Sequence, residues 1–156
     1  MKTLTFTVLL TAISFCTATY AQTKADSLAV ETACRNYIEG WKDGDMGKIA
    51  NAVSPELTKR TVMRDREGNS YTTDMSYSSF QAFARTTKHG VRMPDLEPDK
   101  EITCEVTIYD ICGDFALAKT VVSKYGFFDY CQLAKVDGEW KIINILWGLT
   151  PRQNQP

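Results

Sequence analysis

The chain has 156 residues, 44% of them hydrophobic and 24% charged, with a formal net charge of -1. A chain of this size suits one globular domain, able to bury about 68% of its unfolded surface, and leaves no room for a second. It carries no Lys/Arg cluster and no basic–aromatic stripe, so the electrostatic footprint of a nucleic-acid binder is missing and nucleic acid is not an expected partner.

Residues 1–21 differ in kind from the rest. Lys2 gives a short positive start, Leu4 to Phe15 form an apolar run, and Thr19-Tyr20-Ala21 supplies small residues at the first and third positions of a cleavage site. That order predicts a signal peptide, a mature chain beginning near Gln22 and export to a periplasm or beyond. The run is too short to span a bilayer, and no later stretch approaches the roughly 20 apolar residues a crossing needs, so no membrane span is expected. A lipoprotein would use Cys16, but Phe15 before it is bulky where such sites take a small residue.

The remaining residues, 22–156, read as a single domain. Asp26 or Ser27 is placed to cap a helix whose apolar positions Val30, Ala33, Cys34, Tyr37, Ile38 and Trp41 follow helical spacing up to Gly44. A shorter helix spans Met46 to Val53 and stops before Ser54-Pro55, because the residue before proline avoids helical angles. Leu57 to Arg64 reads as a strand, Arg66 to Asn69 as a turn, and Ser76 as the start of a third helix with Phe80, Phe83 and Ala84 on its apolar side. Lys88 to Lys100, with Gly90, Pro94 and Pro98, reads as a loop.

The clearest stretch is Ile102 to Leu149. Gly113-Asp114 and Asp137-Gly138 mark two-residue hairpin turns that pair Cys112 with Phe115 and Val136 with Glu139. Unbroken alternation then puts Glu105, Tyr109, Thr120, Asp129, Cys131, Leu133, Ile142, Asn144 and Leu146 on one mixed face. The greasier face holds Cys104, Val106, Ile108, Leu117, Tyr130, Ile143, Ile145 and Trp147. Helices followed by such a meander predict an α+β fold, a cone-shaped curved antiparallel sheet covered on one side by the N-terminal helices.

The run Tyr37-Ile38-Glu39-Gly40-Trp41 through Gly44-Asp45, the Gly113-Asp114-x-Ala116-x-Ala118 turn, Asp129-Tyr130 and Asp137-Gly138-x-Trp140-Lys141-Ile142 resemble the putative lumazine-binding family. That family lies within the nuclear transport factor 2-like, or cystatin-like, superfamily. The resemblance spans nearly all of residues 22–156 and implies the same cone. Relatives often place a histidine after the second helix; here the chain reads Ala52-Val53-Ser54-Pro55, so no histidine-based site carries over.

In this architecture the mixed face lines the cavity between sheet and helices. Tyr109, Thr120, Asp129, Cys131 and Asn144 are therefore the candidate ligand-binding residues, suited to a small apolar or aromatic molecule. Asp129 and Glu105 are the catalytic candidates, since a carboxylate in an apolar cavity can become a general base. Tyr109 or Asn144 would then orient a substrate oxygen, which is similar to the residue types of ketosteroid isomerase and polyketide cyclase relatives. The bland reading has Asp129 bonding locally and Glu105 at the wet end of the sheet.

His89, the single histidine, sits in a polar loop, and the cysteines lack ligand spacing, so neither metal nor cofactor is expected. No nucleophile elbow, phosphate loop or dinucleotide fingerprint occurs. Trp41, Phe80, Phe83 and Trp140 read as core. Cys104 and Cys112 are too far apart on one strand to bridge, which leaves Cys34–Cys131 as the one geometrically attractive disulfide; four buried free thiols acting as small hydrophobes are the preferred reading. One helical layer covers one face of the sheet, so the greasy face predicts a homodimer that buries Tyr130, Ile143, Ile145 and Trp147. The function expected is an exported small-molecule-binding module; the alternatives are an acid–base enzyme and a purely associative dimerisation module.

Overall fold

A computed structural model of the protein describes residues 24–87 and 101–150. The expected signal peptide with Cys16, and the expected Lys88–Lys100 loop with His89, lie outside the described residues.

The first helix, α1, occupies residues 24–43 and buries Val30, Ala33, Cys34, Tyr37, Ile38 and Trp41, the stripe that its periodicity predicts. Asp26 does not cap it: the residue is already inside the helix, and its carboxylate is engaged by the sheet. Gly44 ends α1 at a φ of +66°, and the Asp45 amide bonds back to Gly40 O at 2.9 Å, a closure that left-handed glycine makes easily. Asp45 then caps the next helix, α2 (Met46–Ala52), by accepting from the Gly47 and Lys48 amides at 2.9 and 3.0 Å. A Cβ on Gly40 would lie 2.7 Å from the Ile49 side chain, so the close approach of α1 and α2 requires glycine there.

β1 (Val53–Arg64) begins earlier than the sequence suggests, and β2 (Ser70–Ser76) is a strand the sequence reading left unassigned. Its polar Ser-Tyr-Thr-Thr-Asp-Met-Ser run lacks the apolar alternation that identifies strands, because it is an edge paired on one side only. α3 (Tyr77–Thr87) follows directly, with Ser76 Oγ accepting from the Ser79 amide at 3.3 Å and Phe80 and Ala84 buried. β3 (Cys104–Cys112), β4 (Phe115–Val122), β5 (Phe127–Val136) and β6 (Glu139–Leu149) form the meander.

The strands make one six-stranded sheet in the order β2-β1-β6-β5-β4-β3, antiparallel except where β1 runs parallel to β6. The sheet is curved and unclosed, and the helices cover one side: this is the expected α+β cone. Both predicted turns hold, with Cys112 opposite Phe115 and Val136 opposite Glu139. Gly113, Asp137 and Gly138 take the positive φ values those turns demand.

Strict alternation does not hold. One register shift falls between Ile108 and Asp110 on β3, leaving Tyr109 unpaired; on β6 Ile143 is skipped between Ile142 and Asn144. A bulge inserts one residue and flips every side chain beyond it. Cys104, Val106 and Ile108 consequently turn inward with Val122, Thr120 and Ala118, while Glu105 and Tyr109 are exposed. On β6, Ile145 is completely buried and Trp147 faces the helices, while Leu146 is 50% exposed. This corrects the faces expected for Glu105, Tyr109, Asn144, Leu146, Ile145 and Trp147.

Candidate functional site

An aromatic-walled cavity of about 260 Å³ opens between the helical layer and the inner face of the sheet. Tyr37 and Trp41 come from α1, Phe80 and Phe83 from α3, Lys59 and Met75 from β1 and β2, and Phe127 and Trp147 from β5 and β6. Trp41 sets its edge against Phe127 at a centroid distance of 5.3 Å, and Tyr37 leans on Phe80 at 5.4 Å, so the wall is braced by ring contacts. Trp41, Phe80 and Phe83 were expected as core; they pack against it and also form the cavity surface.

Among the described residues, Lys59 is the one charged side chain in this wall. Leu57, Lys59 and Thr61 share the inward side of β1, and the parallel register sets Lys59 beside Ile145. Its ammonium donates to Asp129 Oδ1 at 2.7 Å and to the Tyr37 hydroxyl at 2.6 Å. The same nitrogen lies over the rings of Tyr37 and Trp147, at 5.3 and 5.4 Å from their centroids.

Asp129 is fully buried on β5, opposite Thr120, whose Oγ1 donates to Asp129 Oδ2 at 3.3 Å; the Tyr37 hydroxyl also bonds to this carboxylate. Burial, and next the Asp129 charge, push the Tyr37 phenol well above its usual range, so it stays protonated. Lys59, Tyr37, Asp129 and Thr120 thus form a closed polar network, and no buried side-chain polar atom among the described residues lacks a partner.

The structure brings together three of the ligand-binding candidates, Thr120, Asp129 and Cys131, all completely buried on the inner face. They lie behind the cavity wall rather than in it: Lys59 and Tyr37 stand between Asp129 and the open space. The Cys34 thiol, and next burial, raise the Cys131 thiol well above the usual cysteine range. Both cysteines are free thiols here.

Tyr109 and Asn144 are elsewhere. Tyr109 is 52% exposed and packs on Tyr130 at 6.4 Å, while Asn144 bonds to Gln132 and Arg60 on the outer face. Glu105 is exposed on that side too. Among the described residues no group of three or more His, Cys, Asp or Glu could hold a metal ion.

Lys59, Met75, Phe127 and Trp147 are the lining residues that the sequence reading missed. Lys59 had a signal, since it alternates at period two between Leu57 and Thr61; Trp147 had none without the bulge.

Similarity to known proteins is one of family and fold. No curated protein matches the chain. Among solved structures, a nuclear transport factor 2-like protein of unknown function from Silicibacter pomeroyi aligns at 15% identity and a TM-score of 0.63, covering 81% of this chain and 98% of its own. A Nostoc punctiforme domain of unknown function with a cystatin-like fold aligns at 18% identity and 0.57, covering 83% and 80%. A protein from Novosphingobium aromaticivorans described as a putative scytalone dehydratase aligns at 11% identity and 0.54, covering 88% and 99%. Identities this low establish the shared cone and nothing about chemistry. Residues 25–148 match the family described as putative lumazine-binding, and with the curved sheet, the helical cover and the cavity between them in place, the chain belongs to that family within the nuclear transport factor 2-like fold.

Proposed function

We propose that the protein is a small-molecule-binding module whose site is the aromatic cavity over Lys59. The observation that carries this reading is the cavity's chemistry: apolar and aromatic walls with one charged donor, the composition that ligand recognition uses. At about 260 Å³ it is near the small end of ligand pockets, which run from roughly 300 Å³ upward, so a molecule of one or two rings fits better than a larger one. The family description makes lumazine, a two-ring heterocycle, a natural first probe.

An acid–base enzyme working through Asp129 has less support. The carboxylate is engaged by Lys59, Tyr37 and Thr120 and lies behind the cavity wall, so it offers no free base to a ligand. The proposed test is a thermal-shift and tryptophan-fluorescence screen of lumazine and related one- and two-ring compounds. Saturable binding that Phe80→Ala weakens supports the reading, and absence of binding by every cavity-sized compound defeats it.

Two accessory readings accompany it. Residues 1–21 act as an export signal, which the intact mass of the secreted chain would test. The outer face of the sheet, carrying Tyr109, Phe115, Leu117, Tyr130 and Leu146 exposed, pairs with a second copy of the chain.

A further inference from the structure

Lys59 carries three ammonium protons. Two are engaged, by Asp129 and by the Tyr37 hydroxyl, and no described residue accepts the third, while the side chain itself lines the cavity. Among the described residues, a ligand in the cavity therefore meets one charged donor on an otherwise apolar wall.

The charge on that donor is already balanced. Asp129 is completely buried and cannot swing into water to make way for another anion, because Thr120 and Tyr37 hold it from other directions. Lys59 and Asp129 together are a neutral unit. An anionic ligand would leave one uncompensated negative charge in a desolvated aromatic pocket, a costly arrangement. A neutral acceptor keeps the balance and still gains a hydrogen bond from a charged donor, the stronger kind. A ligand without an acceptor would leave the third proton with nothing better than the Tyr37 and Trp147 ring faces.

We propose that Lys59 selects uncharged, flat, ring-containing ligands that present a carbonyl-type oxygen to it, against both plain hydrocarbons and carboxylates of the same size. This rests on the reading of the cavity as the ligand site. Asp129 and Tyr37 are positioning residues: they fix the ammonium and neutralise it, and neither touches the ligand's acceptor.

Three probes of matched size separate the possibilities: naphthalene, coumarin as the neutral carbonyl compound, and 2-naphthoate as the anion. Binding to the intact protein is followed by quenching of Trp41 and Trp147, which line the cavity. Coumarin should bind about tenfold more tightly than naphthalene, the worth of one hydrogen bond from a charged group, and more tightly than 2-naphthoate. Lys59→Met alone strands a buried carboxylate, so the companion variant is Lys59→Met with Asp129→Asn, which removes both charges together and leaves Thr120 an acceptor. In that variant the coumarin preference should vanish while naphthalene binding is kept.

Naphthalene binding equal to coumarin would overturn the selection by Lys59 and leave the cavity reading standing. A 2-naphthoate that binds most tightly, and more weakly as salt is raised, would overturn the neutral-ligand assignment. Failure of all three to bind would overturn both this inference and the cavity reading.

Discussion

Asp26 Oδ1 accepts the indole N–H of Trp140 at 3.0 Å, tying the N-terminal part of α1 to the start of β6 across most of the chain. Lys135 Nζ joins the same oxygen at 2.6 Å. The Lys135 hydrogen bond first, and the Trp140 bond second, hold this carboxyl below its ordinary value of 3.8. A carboxyl whose folded value is depressed contributes fully above its unfolded value and loses that contribution as pH falls through the folded one. Asp26→Asn should cost about 1 kcal/mol at pH 7 and almost nothing well below pH 3.8. Urea unfolding of both proteins at the two pH values checks this, and a difference independent of pH would contradict it.

Breaking the Lys59–Asp129 pair from either side should be expensive. Asp129→Ala leaves an ammonium beneath an apolar wall, and Lys59→Met leaves a fully buried carboxylate, so each should lose about 3–5 kcal/mol. Lys59→Met combined with Asp129→Asn should lose well under the sum, because no uncompensated charge remains. Denaturant midpoints of the singles and the double measure the coupling; simple additivity would show that the two groups do not act as a pair.

Thiol chemistry should be graded by position. Cys112 is exposed, Cys104 is half-buried with its thiol pushed by burial up to about 12, and Cys34 and Cys131 are inaccessible. An aromatic disulfide reagent at pH 8 should therefore modify Cys112 quickly, Cys104 slowly, and Cys34 and Cys131 only on unfolding. Peptide mapping after timed quenching gives the order, and early labelling of Cys131 would place it outside the core.

Adjacent residues on β6 should respond in opposite ways to the same change. Ile145→Asp buries a charge in the core and should unfold the protein, at a cost of about 4–5 kcal/mol or more. Leu146→Asp, on the outer face, should leave folding intact and convert the proposed homodimer to monomer in light scattering. A wild type already monomeric at micromolar concentration would remove the dimer, and a folded Ile145→Asp would refute the register beyond the bulge.

The elements themselves were legible because each rests on local chemistry. The α1 stripe from Val30 to Trp41, the stop before Ser54-Pro55 and the turns at Gly113-Asp114 and Asp137-Gly138 follow from helical period, proline sterics and positive φ. Thr120, Asp129 and Cys131 came out on the correct face because both of their strands are regular throughout, and the four-residue link between Val122 and Phe127 sets Thr120 directly opposite Asp129. Glu105, Tyr109 and Asn144 came out on the wrong face because each lies on the far side of, or at, a single inserted residue.

By itself, then, the sequence determined the helical stripe, the strands of the meander, its two tight turns and, through family resemblance, the cone. Only the tertiary structure decided where the bulges fall, since a bulge is set by the competition between neighbouring strands for curvature and burial rather than by the residue that occupies it. It alone decided the site as well. Lys59, Tyr37 and Asp129 are 22 and 70 residues from one another along the chain, taking Lys59 as reference, and become one network because β1 crosses beside β6 and brings a lysine over a buried carboxylate whose charge nothing local could balance.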